Sequence, residues 1–181
     1  KIVLLGANVS KRNRIGNNTP LDLSSTNKDN FFTLVELGGR SHNINNLLAE
    51  ALFSKETPYK VIEYLIKNAT EINYYQGINW PIPHRWIHTI EMRARELGAN
   101  DISTEDASVL QALLEKGADP TASNYNKESS LDFAKMPTTK AILEDAIVKW
   151  KETHKTTGTK IKKMLQRIAP KWNLTNERSK P

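Results

Sequence analysis

Two histidines and one glutamate are spaced so that they could bind a metal ion. His84 and His88 are four residues apart and Glu91 follows three residues later, so a helix would place all three side chains on one face. Histidine pairs at this spacing bind zinc when further ligands complete the site. The chain has no cysteine, and no fourth ligand stands out elsewhere in the sequence. We therefore predict no metal site.

The common catalytic motifs are missing from the sequence. It contains no Gly-x-Ser-x-Gly nucleophile turn, no P-loop and no glycine-rich dinucleotide-binding turn. The adjacent acids Glu105-Asp106 and Glu144-Asp145 would point to different sides of a helix, so neither pair is arranged for acid–base catalysis. We interpret the first pair as a helix-capping turn and the second as a solvated face. No enzymatic activity, cofactor or small-molecule substrate is predicted.

Three short segments carry residue types that are common at protein interfaces, and we call them the first predicted tip (residues 12–14), the second (residues 74–76 with Trp80) and the third (residues 124–126). Tyrosine, tryptophan and arginine are over-represented among the residues that contribute most to binding energy. The alternative is that Trp80 and one tyrosine only cover an irregular part of the fold. We predict partner contacts at Arg12, Asn13, Arg14, Tyr74, Tyr75, Trp80, Asn124 and Tyr125.

One sequence pattern occurs near both ends of the chain. Leu4-Leu5-Gly6-Ala7-Asn8 is similar to Leu113-Leu114-Glu115-Lys116-Gly117-Ala118-Asp119, since both end an apolar, helix-like pattern with Gly-Ala and Asn or Asp. Glycine provides the left-handed residue that ends many helices. About thirteen residues after each glycine come Thr19-Pro20-Leu21-Asp22 and Ser129-Ser130-Leu131-Asp132. There a hydroxyl residue would cap a new helix.

This pattern resembles the ankyrin repeat, in which a Leu-Leu-x-x-Gly-Ala-Asp helix end is followed by Thr-Pro-Leu-His-x-Ala. Two weaker copies lie between, one ending at Gly38 and one over residues 61–73 with Asn68 in the glycine position. The spacings are 32 residues from Gly6 to Gly38 and 30 from Gly38 to Asn68, close to the repeat length of about 33. The resemblance implies that His84 bridges neighbouring turns by hydrogen bonds.

The interval from Asn68 to Gly117 is longer, at 49 residues. It predicts an insertion of about sixteen residues relative to the repeat length, which we place within residues 85–105. We expect one long helix over residues 84–97, a loop over residues 98–103, and a partner helix from about Thr104.

The predicted fold is all-α: an ankyrin-repeat helical solenoid of about four repeats, with a helical insertion and a C-terminal capping helix. Residues 1–150 are expected to form the repeat domain, and residues 151–181 the basic C-terminal helix and tail. Each repeat would be a finger followed by two antiparallel helices, and stacking would bury one face. The expected buried residues are Leu47, Leu48, Ala51, Leu52, Val61, Ile62, Leu65 and Ile66, with Ala141, Ile142, Ala146 and Ile147 in a last helix over residues 138–150.

The positive charge of the chain is concentrated at its C-terminal end. The formal net charge is +6, and residues 149–181 contain ten Lys or Arg against Glu152 and Glu177. That end therefore carries +8 and the preceding residues carry −2, which is not the composition of a dedicated nucleic-acid-binding domain. Nucleic acid is not an expected partner.

The basic end also contains the pattern of an amphipathic helix, which Pro170 ends. Three roles are open to it: capping the last repeat, binding an anionic membrane through residues 160–168, or binding nucleic-acid phosphates. We expect the first role. The apolar positions of the helix are Ile161, Met164, Leu165 and Ile168.

The resemblance implies a monomeric scaffold or adaptor that binds a protein partner through finger tips and the concave helix face. The alternative is the recognition arm of a larger multidomain enzyme or bacterial effector whose catalytic part lies outside this chain. Since the sequence starts at Lys1 inside a repeat pattern, we expect a longer parent protein. Its many asparagines, lysines and isoleucines are typical of AT-rich intracellular bacteria. We expect an intracellular, cytoplasmic location, or secretion by a bacterium into the host cell cytosol.

Overall fold

Helices make up the regular secondary structure of the computed structural model, which describes residues 8–14, 16–73 and 80–155. The prediction of an all-α fold is confirmed for these residues, whose β-structure is limited to an isolated bridge between Ser123 and Ser129. The chain divides into two compact units, Lys1–Glu144 and Asp145–Pro181. The elements are a 3-10 helix (Asp22–Ser24), α1 (Lys28–Glu36), α2 (Ile44–Phe53), α3 (Tyr59–Asn68), α4 (Ile82–Glu96), α5 (Thr104–Glu115), α6 (Ser130–Phe133) and α7, described over residues 137–155.

Some predicted features lie outside the described residues. They include Gly6 in the first copy of the pattern, Tyr74 and Tyr75, and the amphipathic segment at residues 160–168 with its expected capping or membrane role. Among the residues that the structure does describe, no helix is both long enough and apolar enough to cross a membrane.

Side-chain caps fix where three of the helices begin. The side-chain oxygens of Asn27, Asn43 and Ser103 each accept hydrogen bonds from backbone N–H groups in the first turn of α1, α2 and α5. A cap of this kind stabilises a helix by about 1 kcal/mol. Thr104 is the first residue of α5, as the sequence predicts.

Glycine with positive φ follows three helices, α1, α4 and α5, and asparagine does not end α3 in the same way. Gly38 and Gly117 follow α1 and α5 with φ of +80° and +98°, the left-handed conformation expected of them. Asn68 is instead the last residue of α3, and Ala69 after it is extended, with φ −60° and ψ 131°. The Asn68 side chain donates to the carbonyl of Tyr64 at 2.7 Å. The prediction that Asn68 takes the place of the glycine is therefore wrong.

Helix packing in the first unit alternates along the chain. Helix α2 packs against α3 and against α4, and α4 packs against α5 and α6. Helix α3 packs against α1 and against α5. Helices α2 and α3 therefore form one consecutive pair and α4 and α5 another, and each of α1 to α4 also contacts the helix two positions further along the chain.

The long helix predicted over residues 84–97 is present as α4. It spans Ile82–Glu96, and its 15 residues compare with 10 in each of α2 and α3. Pro81 stands at its N-cap and Pro83 within its first turn, where proline needs no hydrogen-bond partner for its nitrogen.

The predicted buried stripe is confirmed. Every one of its eight residues in α2 and α3 is buried within one hydrophobic core. That core also contains Phe31 from α1 and Trp86 from α4, both 0% exposed. Each fully buried side chain of this size contributes about 1.5–3 kcal/mol relative to an exposed one.

A buried ion pair links α3, α4 and α5. Arg93 Nη1 lies 2.6 Å from Asp106 Oδ1, and the hydroxyl of Tyr59 donates to the same oxygen at 2.9 Å. Nε1 of Trp86 donates to the Asp106 carbonyl at 3.0 Å. The N–H of Asp106 also bonds to Ser103 Oγ, as a capping turn requires, but its carboxylate is 3% exposed and neutralises Arg93. Asp106 is thus a core residue as well as part of the cap.

The buried face of α7 differs from the predicted one. Thr139 and Leu143, one helical turn apart, are buried, while Ala141 is exposed and Ile142 is half-buried. Ala141 lies two residues from Thr139 and so faces a different side of the helix. The prediction that Ala141 points inward is therefore wrong, because alanine gives only a weak apolar signal. In the second unit, Ala146 and Ile147 are half-buried.

Candidate partner-binding surface

The first predicted tip exposes its two arginines. Arg12, Asn13 and Arg14 are all exposed. The Oδ1 atom of Asn13 accepts from the backbone N–H groups of Gly16 at 3.0 Å and Asn18 at 3.1 Å, and its own N–H donates to the Asn18 carbonyl. Asn13 therefore closes the turn, and the guanidinium groups on either side of it lie at the surface.

The third predicted tip divides between a surface residue and a buried one. Tyr125 is 66% exposed, whereas Asn124 is 6% exposed. Oδ1 of Asn124 accepts from the N–H groups of Asn126 at 2.9 Å and Glu128 at 3.0 Å, and its Nδ2 donates to the Glu128 carboxylate at 2.8 Å. Asn124 holds the loop in shape instead of presenting its side chain, so we withdraw it from the predicted contacts.

Trp80, from the second predicted tip, belongs to a cluster of rings. We call Phe53, Trp80, His88 and Phe133 the aromatic patch. His88 stacks on Phe53, with centroids 5.6 Å apart and 14° between the ring planes. Trp80 meets His88 edge-to-face at 5.4 Å, and its ring lies 5.4 Å from that of Phe133. Aromatic pairs contribute about 0.5–1.5 kcal/mol each, so these contacts hold the rings in place.

Three helices bring the patch together. Phe53 is the last residue of α2, Phe133 is the last residue of α6, and His88 lies on α4 between them. Because α4 packs against both α2 and α6, the three side chains come together around Trp80, whose ring contacts each of them, although 80 positions separate Phe53 from Phe133. Phe53 is 48% exposed and the other three residues are half-buried. The patch therefore lies at the edge of the core, where Phe133 packs against the buried residues and Phe53 is the most exposed ring.

The sequence did not single out Phe53, His88 and Phe133 as one site. Phe53 gives the clearest signal in hindsight, because a large aromatic residue here follows the buried stripe of α2 without belonging to it. Its neighbours in the patch come from other parts of the chain, so no local spacing could reveal them.

His84 has a structural role. It is 0% exposed, and its Nε2–H donates to the Glu128 carbonyl at 2.9 Å. Since a carbonyl can only accept, Nε2 carries the proton and Nδ1 accepts from the Ser130 hydroxyl at 3.0 Å. Burial lowers the pKa of His84 below its ordinary value, against the opposing effect of the Glu128 carbonyl. Both ring nitrogens are engaged, so His84 has no lone pair for a metal.

Glu91 holds the segment between α6 and α7. It is 3% exposed, and its Oε1 accepts from the backbone N–H groups of Lys135 and Met136, while Oε2 lies 3.4 Å from Arg95.

Burial lowers the pKa of His88, and the charges of Arg95 and Lys55 lower it further. Within residues 8–14, 16–73 and 80–155, no three His, Cys, Asp or Glu side chains are grouped to hold a metal ion.

A polar depression lies beside α2. We call it the polar pocket, and two of its lining residues, Asp22 and Glu50, are acidic. Oδ2 of Asp22 accepts from the N–H of Thr19 at 2.7 Å and the N–H of His42 at 3.3 Å. Its Oδ1 is buried without a hydrogen-bond partner. The lining residues are Asn18, Asp22, His42, Asn43, Asn46, Leu47 and Glu50.

The pocket and the patch share helix α2. Asn46, Glu50 and Phe53 stand at i, i+4 and i+7, so they lie along one face of the helix. Asn46 donates to Glu50 Oε1 at 2.9 Å. On α4, Arg85 lies close enough to Glu50 for the carboxylate to favour its charged form, against the effect of burial, which lowers the pKa of Arg85. The Nε of Arg85 donates to the Trp80 carbonyl at 3.2 Å. One continuous surface thus runs from amide and carboxylate groups to aromatic rings.

Comparison with models of protein families and with curated proteins finds no match for this chain.

Proposed function

We propose that this chain is an ankyrin-type repeat module that binds a protein partner through the surface carrying the aromatic patch. The exposed tip residues Arg12, Arg14 and Tyr125 are proposed to extend that contact. The observation that carries the proposal is the aromatic patch, where rings from three helices in successive pairs lie together at the surface.

A repeated local structure supports the ankyrin-type assignment. In the first copy, Asp22 Oδ2 accepts from the N–H of Thr19 at 2.7 Å and from its hydroxyl at 2.9 Å. In the last copy, Asp132 Oδ2 accepts from the N–H of Ser129 at 2.6 Å and from its hydroxyl at 2.7 Å. The same two bonds thus form at both places where the sequence pattern recurs, and each starts a helical turn.

Side chains that join successive helix pairs also support it. Oδ1 of Asn45 accepts from the N–H of Thr70 at 3.0 Å, and Oδ1 of Asn73 accepts from the N–H of Asp119 at 2.8 Å. His84 makes the corresponding link to Glu128. Each bond ties one loop or helix start to the next along the chain, as a stack of similar units requires.

Exposed aromatic residues are a reason to expect a partner. Large aromatic side chains contribute much of the binding energy at interfaces, and a rigid cluster loses little conformational entropy on binding. The patch is held by ring–ring contacts before any partner arrives, so it is preorganised. A protein surface or segment with apolar side chains would cover Phe53 and remove it from water.

A capture experiment with matched variants tests the proposal. The wild-type chain, Phe53→Ala, Phe133→Ala and the control Leu37→Ala are each used to capture proteins from a lysate of the source cells, followed by mass spectrometry. Leu37 is 44% exposed against 48% for Phe53, but it lies at the end of α1. We expect the two patch variants to lose the same proteins and the control to keep them. Equal loss from all three, or from none, would contradict the proposal.

A further inference from the structure

We propose that the partner presents an extended segment in which a Lys or Arg side chain enters the polar pocket and a bulky apolar side chain lies on the aromatic patch. This inference rests on the proposed function and adds the chemical class of the segment that is recognised.

The polar pocket has the chemistry of a cation-binding site for a side chain. Asp22 and Glu50 supply carboxylates, and the described residues that line the pocket include no Lys or Arg. Arg85 acts on Glu50 from α4, outside the lining. An anion such as a phosphate would be repelled by the two carboxylates, whereas an ammonium or guanidinium group would be attracted.

Asp22, which lines the pocket, has one carboxylate oxygen that accepts no hydrogen bond. Asp22 Oδ2 already accepts three hydrogen bonds, two from Thr19 and one from the N–H of His42. Asp22 Oδ1 has none and is shielded from water. A carboxylate oxygen that is buried without a donor is unfavourable, and a cationic side chain supplies donors.

The distance between pocket and patch suits a short extended peptide. Glu50 and Phe53 lie about one turn apart on α2, which is roughly 5 Å along the axis. In an extended chain, side chains two positions apart point to the same side and lie about 7 Å apart. A basic residue and an apolar residue close together in sequence can therefore occupy both places at once. This spacing favours a peptide segment over a flat membrane surface, which would also be repelled by Asp22 and Glu50.

A random peptide library tests the inference directly. The full chain is used to select from a phage-displayed library of random peptides, and an enriched peptide is measured by fluorescence anisotropy. We expect the enriched peptides to share a Lys or Arg within a few residues of an aromatic or large aliphatic residue. Glu50→Gln should weaken binding of the enriched peptide about two- to fivefold, which is the range for an exposed charge pair. The matched control Glu63→Gln, on α3, should leave the affinity unchanged.

A peptide variant separates the charge pair from other effects of the substitution. When the basic residue of the peptide is replaced by norleucine, Glu50→Gln should no longer change the affinity. Asp22→Asn, like Glu50→Gln, should weaken binding of the enriched peptide. Because Asp22 also holds Thr19 and the N–H of His42, its variant is accepted only if its thermal unfolding matches the wild type.

The contrary outcomes are distinct. Enriched peptides that lack a basic residue, yet lose binding in Phe133→Ala, would overturn this inference and leave the proposed function standing. Failure to enrich any peptide above the blank support would overturn the segment inference as well. Concentration-dependent dimerisation that Phe133→Ala abolishes and Glu50→Gln does not would assign the patch to a second copy of the chain, against the inference.

Discussion

Replacement of His84 by alanine should destabilise the first unit strongly. The imidazole is 0% exposed and makes two hydrogen bonds, to the Glu128 carbonyl at 2.9 Å and from the Ser130 hydroxyl at 3.0 Å. Each of the two lost hydrogen bonds costs about 1 kcal/mol. The ring packs 5.2 Å from Phe133, and the cavity that it leaves costs about 1 kcal/mol more. We therefore expect the free energy of unfolding to fall by about 3 kcal/mol. Urea unfolding above pH 7, followed by circular dichroism, measures it.

The pH dependence of stability provides a second measure of the same contact. Burial lowers the pKa of His84 below the 6.5 of an unperturbed histidine, and the pKa of His88 is lowered in the same direction. Below pH 6.5 the unfolded chain therefore binds more protons than the folded chain. The contribution of the two histidines to stability is fully present above this pH and is lost as the pH falls towards their pKa values in the folded chain. Each histidine contributes a slope of at most about 1.4 kcal/mol per pH unit.

His84→Ala should remove one of these two contributions and flatten the slope below pH 6.5. His42→Ala is the control, since it removes an exposed histidine. A stability loss below about 1 kcal/mol together with an unchanged slope would show that His84 does not make the two buried hydrogen bonds. The reasoning about the links between helix pairs would then be refuted.

Other substitutions test separate parts of the structure. Asp106→Asn should lower the free energy of unfolding, measured by chemical denaturation, by about 3 kcal/mol, because it leaves Arg93 without its buried counter-charge. The control Glu63→Gln removes an exposed ion pair and should lower the free energy of unfolding by at most about 1 kcal/mol. Gly117→Ala should lower the free energy of unfolding by about 1 kcal/mol, because its φ of +98° strains a residue with a Cβ. No neighbour lies within 4 Å of the added Cβ, so the backbone conformation alone causes the loss. An unchanged melting temperature would contradict the left-handed conformation.

Local sequence signals were enough to predict the helices of the core. The apolar period of α2 and α3 identified the buried stripe, because burial on one helix face repeats every three to four residues. The long helix expected over residues 84–97 and the partner helix expected from about Thr104 correspond to α4 and α5. The bridging role of His84 was implied by the ankyrin resemblance, and the structure gives that residue two buried hydrogen bonds.

The candidate site could be predicted only in part. Arg12, Arg14 and Tyr125 are exposed as a contact residue should be, but Asn124 has the composition of an interface residue and is used inside its own loop. The aromatic patch depends on how α2, α4 and α6 pack, and this long-range arrangement leaves no local periodicity in the sequence. Residue type alone does not distinguish a surface ring from a buried one.

Hydrogen–deuterium exchange on the chain with and without a captured partner tests the central claim most directly. The account predicts slower exchange at the end of α2, in the middle of α4 and around α6, where Phe53, His88 and Phe133 lie. The same partner should give no such protection with Phe133→Ala. Protection confined to α1, α3 and α5, with the three patch segments unchanged, would contradict binding through the aromatic patch.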